Sequence, residues 1–133
     1  LVRPASEQSN IAVSTDVTAV FGTEVFDQGA DFASNTFTSP VTGRYQLNAL
    51  LRVNNVDTAA DYISMLIVTS NRNYPYTIDP DAFDADVPYW TFSFSVLADM
   101  DASDTAYVVL RQQGGSAQMD ITTDSYFSGY LAC

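Results

Sequence analysis

The most informative segment of this chain reads Phe37-Thr38-Ser39-Pro40-Val41-Thr42-Gly43-Arg44-Tyr45 and leads directly into a stretch with a two-residue period. From Tyr45 to Val53 every second residue is apolar, and the residues between are mostly polar. That alternation is typical of a β-strand with one buried face. Pro40, which has no N–H, suits a strand entry, and Gly43 supplies the freedom for a tight turn. The segment therefore predicts a turn followed by a long strand.

Further strands are predicted along the rest of the chain. Apolar and hydroxyl residues alternate over residues 91–96, and aliphatic residues run almost continuously over 63–68 and 106–110. The continuous runs indicate central strands that are covered on both faces. No window carries a sustained 3.6-residue apolar stripe, so we expect almost no helix. Shorter strands are predicted at residues 11–13, 18–21 and 119–122, a tight reversal at Gly114-Gly115, and a long exposed loop over Asp79–Pro88.

The composition excludes several classes of function. The chain has 133 residues, which predicts one domain, and sixteen acidic residues against five arginines give a net charge of −11. A nucleic acid would be repelled, since its binding depends on neutralising phosphates with Lys and Arg. No apolar stretch is long enough to predict membrane insertion. The single cysteine, Cys133, cannot form an internal disulfide, and we expect a free thiol.

Catalysis is not predicted, and no catalytic residue is assigned. Histidine is absent, which removes the usual general base and the imidazole metal ligand. Cys133 has no neighbouring group to activate it, and no glycine-rich phosphate loop occurs. Paired carboxylates could cut glycosidic bonds, but among fourteen aspartates some pair always falls at a suitable distance.

Three blocks of sequence carry a family resemblance. The first runs from Phe26-Asp27-Gln28-Gly29 to Tyr45, the second is Asp99–Val108, and the third is the closing Tyr126-Phe127-Ser128-Gly129-Tyr130-Leu131. In this order they resemble the motifs of C1q-like globular heads of the complement/TNF superfamily. The resemblance implies an all-β jelly-roll β-sandwich of about ten antiparallel strands over residues 1–133. It also implies a homotrimer.

The resemblance extends to variants at the C-termini of phage structural proteins, which implies the C-terminal head of a longer fibrous protein. The predicted function is a non-enzymatic trimeric recognition head at the tip of a fibre or spike. It would lie at a virion surface or in another extracellular setting and bind a host cell-surface glycan or protein. Two alternatives stay open: a trimerisation cap that binds nothing, and a secreted lectin or adhesion module of a cellular organism. The absence of lysine and of an Asn-x-Ser/Thr acceptor weighs against the secreted animal module.

Candidate ligand-binding residues surround the acidic loop: Arg72, Tyr74, Tyr76 and Trp90. Tyrosine, tryptophan and arginine carry much of the energy of recognition surfaces. Arg72 could clamp a carboxylate or an acidic sugar. The alternatives are that the rings pack in the core or in a trimer contact, and that Arg72 pairs with one of the loop aspartates.

Two acidic clusters are candidate metal ligands. Clustered carboxylate oxygens are what Ca²⁺ requires, and solvated acidic turns are the alternative. Some C1q-like heads hold Ca²⁺ near the trimer axis through acids that flank the strand preceded here by Asp61. The far end of that strand carries Ser70 and Asn71 in place of acids, a departure that argues against an axial Ca²⁺. The clusters are Asp79, Asp81, Asp84 and Asp86, and Asp99, Asp101 and Asp104.

Overall fold

The computed structural model describes residues 1–133 and contains twelve β-strands and one short 3₁₀ turn at Pro80–Ala82. Six strands are long enough to form the body of the fold, and the other six are pieces of two or three residues. The strands are β1 Val2–Arg3, β2 Asp16–Thr18, β3 Thr23–Glu24, β4 Phe32–Ala33, β5 Thr36–Thr38, β6 Gly43–Val56, β7 Ala60–Thr69, β8 Asn73–Ile78, β9 Val87–Met100, β10 Thr105–Gly114, β11 Asp120–Ile121 and β12 Tyr126–Leu131.

The strands form two antiparallel sheets that pack face to face. Sheet A has the order β3-β1-β12-β6-β9, and β11 pairs with β6 beyond the end of β12. Sheet B has the order β4-β5-β10-β7-β8, and β2 pairs with the far half of β10. The edge strands β8 and β9 lie on the same side of the sandwich and contact each other. We call the line between them the seam. The predicted all-β sandwich is confirmed.

The core lies between the sheets and follows the predicted alternation. On β6, Tyr45, Leu47, Ala49, Leu51 and Val53 are all buried. The predicted central strands are β7 and β10, which pair with each other over most of their length and supply much of the opposing face. Burying a large aliphatic or aromatic side chain contributes about 1.5–3 kcal/mol, so this layer is the main source of stability.

The short N-terminal strands differ from the prediction. Residues 11–13 form no strand, because Asn10 and Ser14 adopt positive φ angles of 54° and 58° and break the extended path. Ile11 is nevertheless buried, and its N–H donates to the Met119 carbonyl. The strand predicted at 18–21 is wrong beyond Thr18, because β2 covers Asp16–Thr18 and residues 19–21 form no strand. The strand predicted at 119–122 is reduced to the two-residue β11.

Glycines permit the predicted reversal at Gly114-Gly115 and a close approach of two strands at Gly129. Gly114 and Gly115 have φ angles of 73° and 75° and form the predicted reversal after β10. A Cβ on Gly129 would lie 2.8 Å from Leu47 Cδ2 and 3.2 Å from the Gln46 carbonyl oxygen. Gly129 therefore lets β12 lie closely against β6. No helix in the structure has the length and apolar character to cross a membrane.

The strand directions give the sandwich two distinct ends. Strand β6 begins, and β12 finishes, at the end that carries Cys133, which we call the proximal end. The β7–β8 and β9–β10 turns lie there too. The opposite, distal end carries the β6–β7 turn, the β8–β9 loop and the β10–β11 loop. The predicted Asp79–Pro88 loop is the distal β8–β9 loop, although β9 already begins at Val87.

Candidate functional site

Arg72 and Tyr74 lie at the proximal end of the seam. Arg72 Nη2 donates to Asp99 Oδ2 at 2.8 Å, which ties the β7–β8 turn of sheet B to strand β9 of sheet A. Both side chains are more than half exposed, so the pair contributes at most about 1 kcal/mol. Tyr74 is half-buried, and desolvation raises the pKa of its hydroxyl. Arg72 thus pairs with an aspartate, but with Asp99 of β9 and not with one of the loop aspartates that the alternative named.

Tyr76 and Trp90 lie further along the seam, toward its distal end, and both rings are packed. Tyr76 pairs with Met65 in sheet B, and its ring stacks on Phe94 of sheet A with centroids 6.1 Å apart. Trp90 packs against Phe83 of the distal loop at 5.0 Å. The four candidate ligand residues thus line one edge of the sandwich, but they are spread along its length and form no common pocket. Their use in ligand binding stays a prediction.

The acidic cluster of the distal loop is engaged in local hydrogen bonds. Asp79 Oδ1 accepts from the Asp81 N–H, and Asp86 Oδ1 accepts from both the N–H and the hydroxyl of Thr58. Asp86 thereby ties the β8–β9 loop to the β6–β7 turn. The side chains of Asp81 and Asp84 accept no hydrogen bond. The loop carries a local excess of negative charge at the distal end.

The second acidic cluster, at the β9–β10 turn, is satisfied by protein donors. Asp104 Oδ2 accepts from the Asp101 N–H at 2.8 Å and from the Asn71 amide at 3.1 Å, while Asp99 is paired with Arg72. Nowhere in the structure do three or more acidic, histidine or cysteine side chains converge as a metal site requires. The Asn71 Nδ2 group donates to both Asp104 Oδ2 and the Asp99 carbonyl oxygen, so the oxygens around it are already engaged by a protein donor. A Ca²⁺ at Asp79, Asp81, Asp84 and Asp86, or at Asp99, Asp101 and Asp104, has no support in the geometry and stays a prediction.

Asp57 is an aspartate that the sequence patterns did not single out. It is buried in the β6–β7 turn, and its carboxylate accepts from the N–H groups of Ser116, Ala117 and Ala59 at 2.7–2.8 Å. These bonds, that from Ser116 above all, hold the pKa of Asp57 below its usual value, against the opposing effect of desolvation. Asp57 therefore fastens the β10–β11 loop to the β6–β7 turn at the distal end.

The outer face of sheet A carries an uncharged patch. The strand registers place β12, β6 and β9 side by side and give three rows of three residues. None of the nine residues is charged, although the chain has a net charge of −11. Tyr130 and Leu97, in the same row, are 62% and 54% exposed. The rows are Tyr130, Gln46 and Leu97; Ser128, Asn48 and Ser95; and Tyr126, Leu50 and Ser93.

Charged pairs border the uncharged patch at both ends. Arg44 and Asp99 are cross-strand neighbours on the proximal side. On the distal side Arg52 forms an ion pair with Asp124, and its guanidinium lies 5.3 Å from the ring centroid of Tyr89. A centre depleted of charge within a polar border is the composition of a protein–protein interface. The sequence showed the polar face of β6 but not the patch, because the patch exists only once three strands are in register.

The edge strand β8 is also free of charge. It reads Asn73-Tyr74-Pro75-Tyr76-Thr77-Ile78, and Tyr76 is 40% exposed. Exposed edge strands usually carry charges that prevent pairing with another chain, and here only Pro75 interrupts the backbone donors. The strand and the patch are therefore two candidate contact surfaces on one molecule.

Comparison with known proteins agrees with this architecture. The model of the C1q domain family matches residues 4–132. The globular domain of zebrafish complement 1qA protein superposes with a TM-score of 0.65 at 14% identity, covering 96% of this chain and 94% of that one. Murine APRIL superposes with a TM-score of 0.65 at 12% identity, covering 96% and 92%. No curated protein matches the chain. At these identities the two structures establish the fold alone.

Proposed function

This chain belongs to the C1q domain family, and from that membership we propose that it is a homotrimeric, non-enzymatic recognition head. Domains of this family are typically recognition modules without catalytic activity, are extracellular or surface-exposed, and generally form homotrimers. The observation that carries the proposal for this chain is the uncharged patch, since an exposed sheet face without charge in so acidic a protein calls for a partner.

In a closed ring of three copies, each copy buries both of its uncharged surfaces, the patch and strand β8. In a heterologous contact, one surface of a copy meets a different surface of the next copy. The contacts form a closed ring when the rotation from copy to copy returns to the first one. We pair the uncharged patch of one copy with β8 and the seam of the next. Tyr76 then contacts a second copy of the chain, and Arg72, at the proximal end, is the candidate residue most free to contact a ligand.

Assembly is tested by sedimentation with a single charge placed in the patch. Ser95 is exposed in the isolated chain and makes no side-chain hydrogen bond, so Ser95→Arg leaves the fold of one copy intact. The unmodified protein should sediment as three chains of 14.5 kDa each, and the variant as one. Thr123→Arg adds the same charge in an exposed turn outside the patch and should remain trimeric. Monomeric unmodified protein, or a trimeric Ser95→Arg variant, would refute this interface.

At the finer level we propose that the head sits at the tip of a virion fibre or spike and attaches to a host-surface glycan or protein. The proposal is supported by Arg72, a residue type that is common in recognition surfaces and whose side chain is more than half exposed in the β7–β8 turn. Three copies on one head would also raise the overall affinity of weak individual sites.

Attachment is tested with the labelled trimer on whole bacterial cells and on a glycan array. Saturable binding that is lost when Arg72 is changed to Gln supports a recognition head. An intact trimer that binds no cell and no glycan identifies a trimerisation cap instead. Binding confined to glycans of animal cells favours the secreted lectin or adhesion module.

A further inference from the structure

A cleft opens on the side of the sandwich opposite the seam, between β12 of sheet A and the β4–β5 hairpin of sheet B. Its volume is about 320 Å³, and ten of its seventeen lining residues are hydrophobic. That volume lies at the small end of the range for ligand pockets, which suits one compact group. The cleft borders the uncharged patch and shares Ser128 and Tyr130 with it, but its other lining residues belong neither to the patch nor to the β8 edge.

The walls of the cleft are aromatic. Phe32 and Phe127 contact each other with ring centroids 6.4 Å apart, and Phe37 and Tyr45 do so at 5.4 Å. Phe26 stands at the opening and is 58% exposed, an unusual degree of exposure for a phenylalanine. The Tyr45 hydroxyl donates to the Val41 carbonyl, so this hydroxyl needs no other hydrogen-bond partner. The ring of Tyr45 lines the cleft. Phe127 and Tyr45 are buried and form the base of the cleft. The rings that a ligand can reach are those of Phe26, Phe32 and Phe37, together with the exposed ring of Tyr130.

Two carboxylates lie at the same opening. Asp27 accepts from the N–H groups of Asp31 and Phe32 at 3.2 and 2.9 Å, which fixes its position. The Asp31 side chain makes no hydrogen bond and lies against Gly29. No lysine or arginine lines the cleft, and the net charge of −11 raises the concentration of cations near the surface.

We propose that this aromatic cleft binds an alkylated organic ammonium ion, of which a trimethylammonium group is the simplest form. Ring faces attract cations, and several rings around one site form the aromatic cage that recognises quaternary ammonium. The methyl groups of such an ion bury against the rings, and no N–H donor is left without an acceptor. A primary ammonium would need three acceptors, which rings do not supply. Asp27 and Asp31 supply the opposite charge.

The proposal is tested by titrating isotope-labelled protein with choline and following backbone amide shifts by NMR. Its neutral isostere, 3,3-dimethyl-1-butanol, is the matched ligand, because it has the same shape without the charge. Choline should shift cleft residues saturably and bind at least about 5-fold more tightly than the alcohol, the size of a modest cation–π contribution. Equal binding of the two ligands, or no saturable shift with choline, would overturn the proposal.

Two substitutions in the cleft, each with a matched control elsewhere, test the site without changing a core residue. Phe26→Ala removes one ring and should weaken choline binding about 3- to 10-fold. Tyr89→Ala, which removes an equally exposed ring on sheet A, should leave binding unchanged. Asp31→Asn should weaken choline binding and not alcohol binding, whereas Asp81→Asn makes the same charge change at the distal end. If Asp81→Asn weakens choline binding as much, the attraction comes from net charge and the site is wrongly assigned.

The proposal does not rest on the trimer: the monomeric Ser95→Arg variant should bind choline as well as the unmodified protein. The sedimentation experiment therefore tests the trimer, and the choline titration tests the cleft, independently of each other.

Discussion

Replacing Asp57 with asparagine should be among the most destabilising single-atom changes available in this chain. The Asp57 carboxylate accepts three backbone N–H groups from two separate loops. An asparagine oxygen can keep the bonds from Ser116 and Ala117, but the NH₂ group then faces the Ala59 N–H. Losing one charge-assisted bond costs about 1.5–3 kcal/mol, and making the other two neutral costs about 0.5–1 kcal/mol each. The expected loss of unfolding free energy at pH 7 is about 3 kcal/mol.

The same reasoning fixes the sign of the pH dependence. The pKa of Asp57 is lowered in the folded state, so its carboxylate stabilises the fold fully above the unfolded pKa of about 3.9. That contribution is lost as the pH falls through the lower, folded-state pKa. Asp57→Asn has no such group, and the difference between the two proteins should shrink from pH 5 downward.

Urea unfolding followed by circular dichroism at pH 7, 5, 4 and 3 measures both effects. Asp81→Asn is the control, because it removes one negative charge from an exposed position and should change stability by less than about 0.5 kcal/mol. An Asp57→Asn protein within 1 kcal/mol of the unmodified protein at pH 7 would refute this role of Asp57. A difference that stays constant from pH 7 to pH 3 would refute the role of its charge.

Three further substitutions test the packing described above. Leu51→Ala removes a fully buried side chain from the centre of β6 and should lower the free energy of unfolding in urea by about 2–5 kcal/mol. A loss below 1 kcal/mol would be inconsistent with a close-packed core. Gly129→Ala should cost about 1–3 kcal/mol, because its Cβ would meet Leu47 and the backbone of β6; an unchanged midpoint would show that the strands separate easily. Arg72→Gln should cost less than about 1 kcal/mol, and the loss should fall with added salt, since its pair with Asp99 is exposed; a larger, salt-independent loss would contradict this.

The long strands follow from the sequence because their period reflects burial directly. Tyr45–Val53 alternates as predicted, and every apolar residue on its inner face is buried. Residues 11–13 look equally strand-like, but the positive φ angles at Asn10 and Ser14 prevent extension. Such backbone angles depend on distant contacts, here the hydrogen bond between Ile11 and Met119, which local pattern does not reveal.

The candidate site was harder to predict than the fold, for a reason of register. The residue type of Tyr76 predicts a role in ligand binding. The direction of its side chain, however, is set by its pairing with Met65, which turns the ring toward Phe94 of the other sheet. In the sequence, nothing distinguishes Asp57 from the other aspartates in predicted turns. Its importance depends on the N–H groups of Ser116 and Ala117, about sixty residues later in the chain. Contacts across sheets and between loops therefore decide the roles that residue type alone leaves open.

The hydrogen bonds of Asp57 and Asp86 also determine how this head could diversify or be engineered. The turn at Asp57–Ala59 is joined to the loop at 115–117 through Asp57 and to the β8–β9 loop through Asp86. A foreign loop of different conformation at 115–117 would leave the buried Asp57 carboxylate with the Ala59 N–H as its only donor, so residues 57–59 and 115–117 must be exchanged together. Asp81 and Asp84 take part in neither connection, and the exposed step from Asp84 to Ala85, beyond the Phe83–Trp90 contact, is where an insertion would be tolerated best.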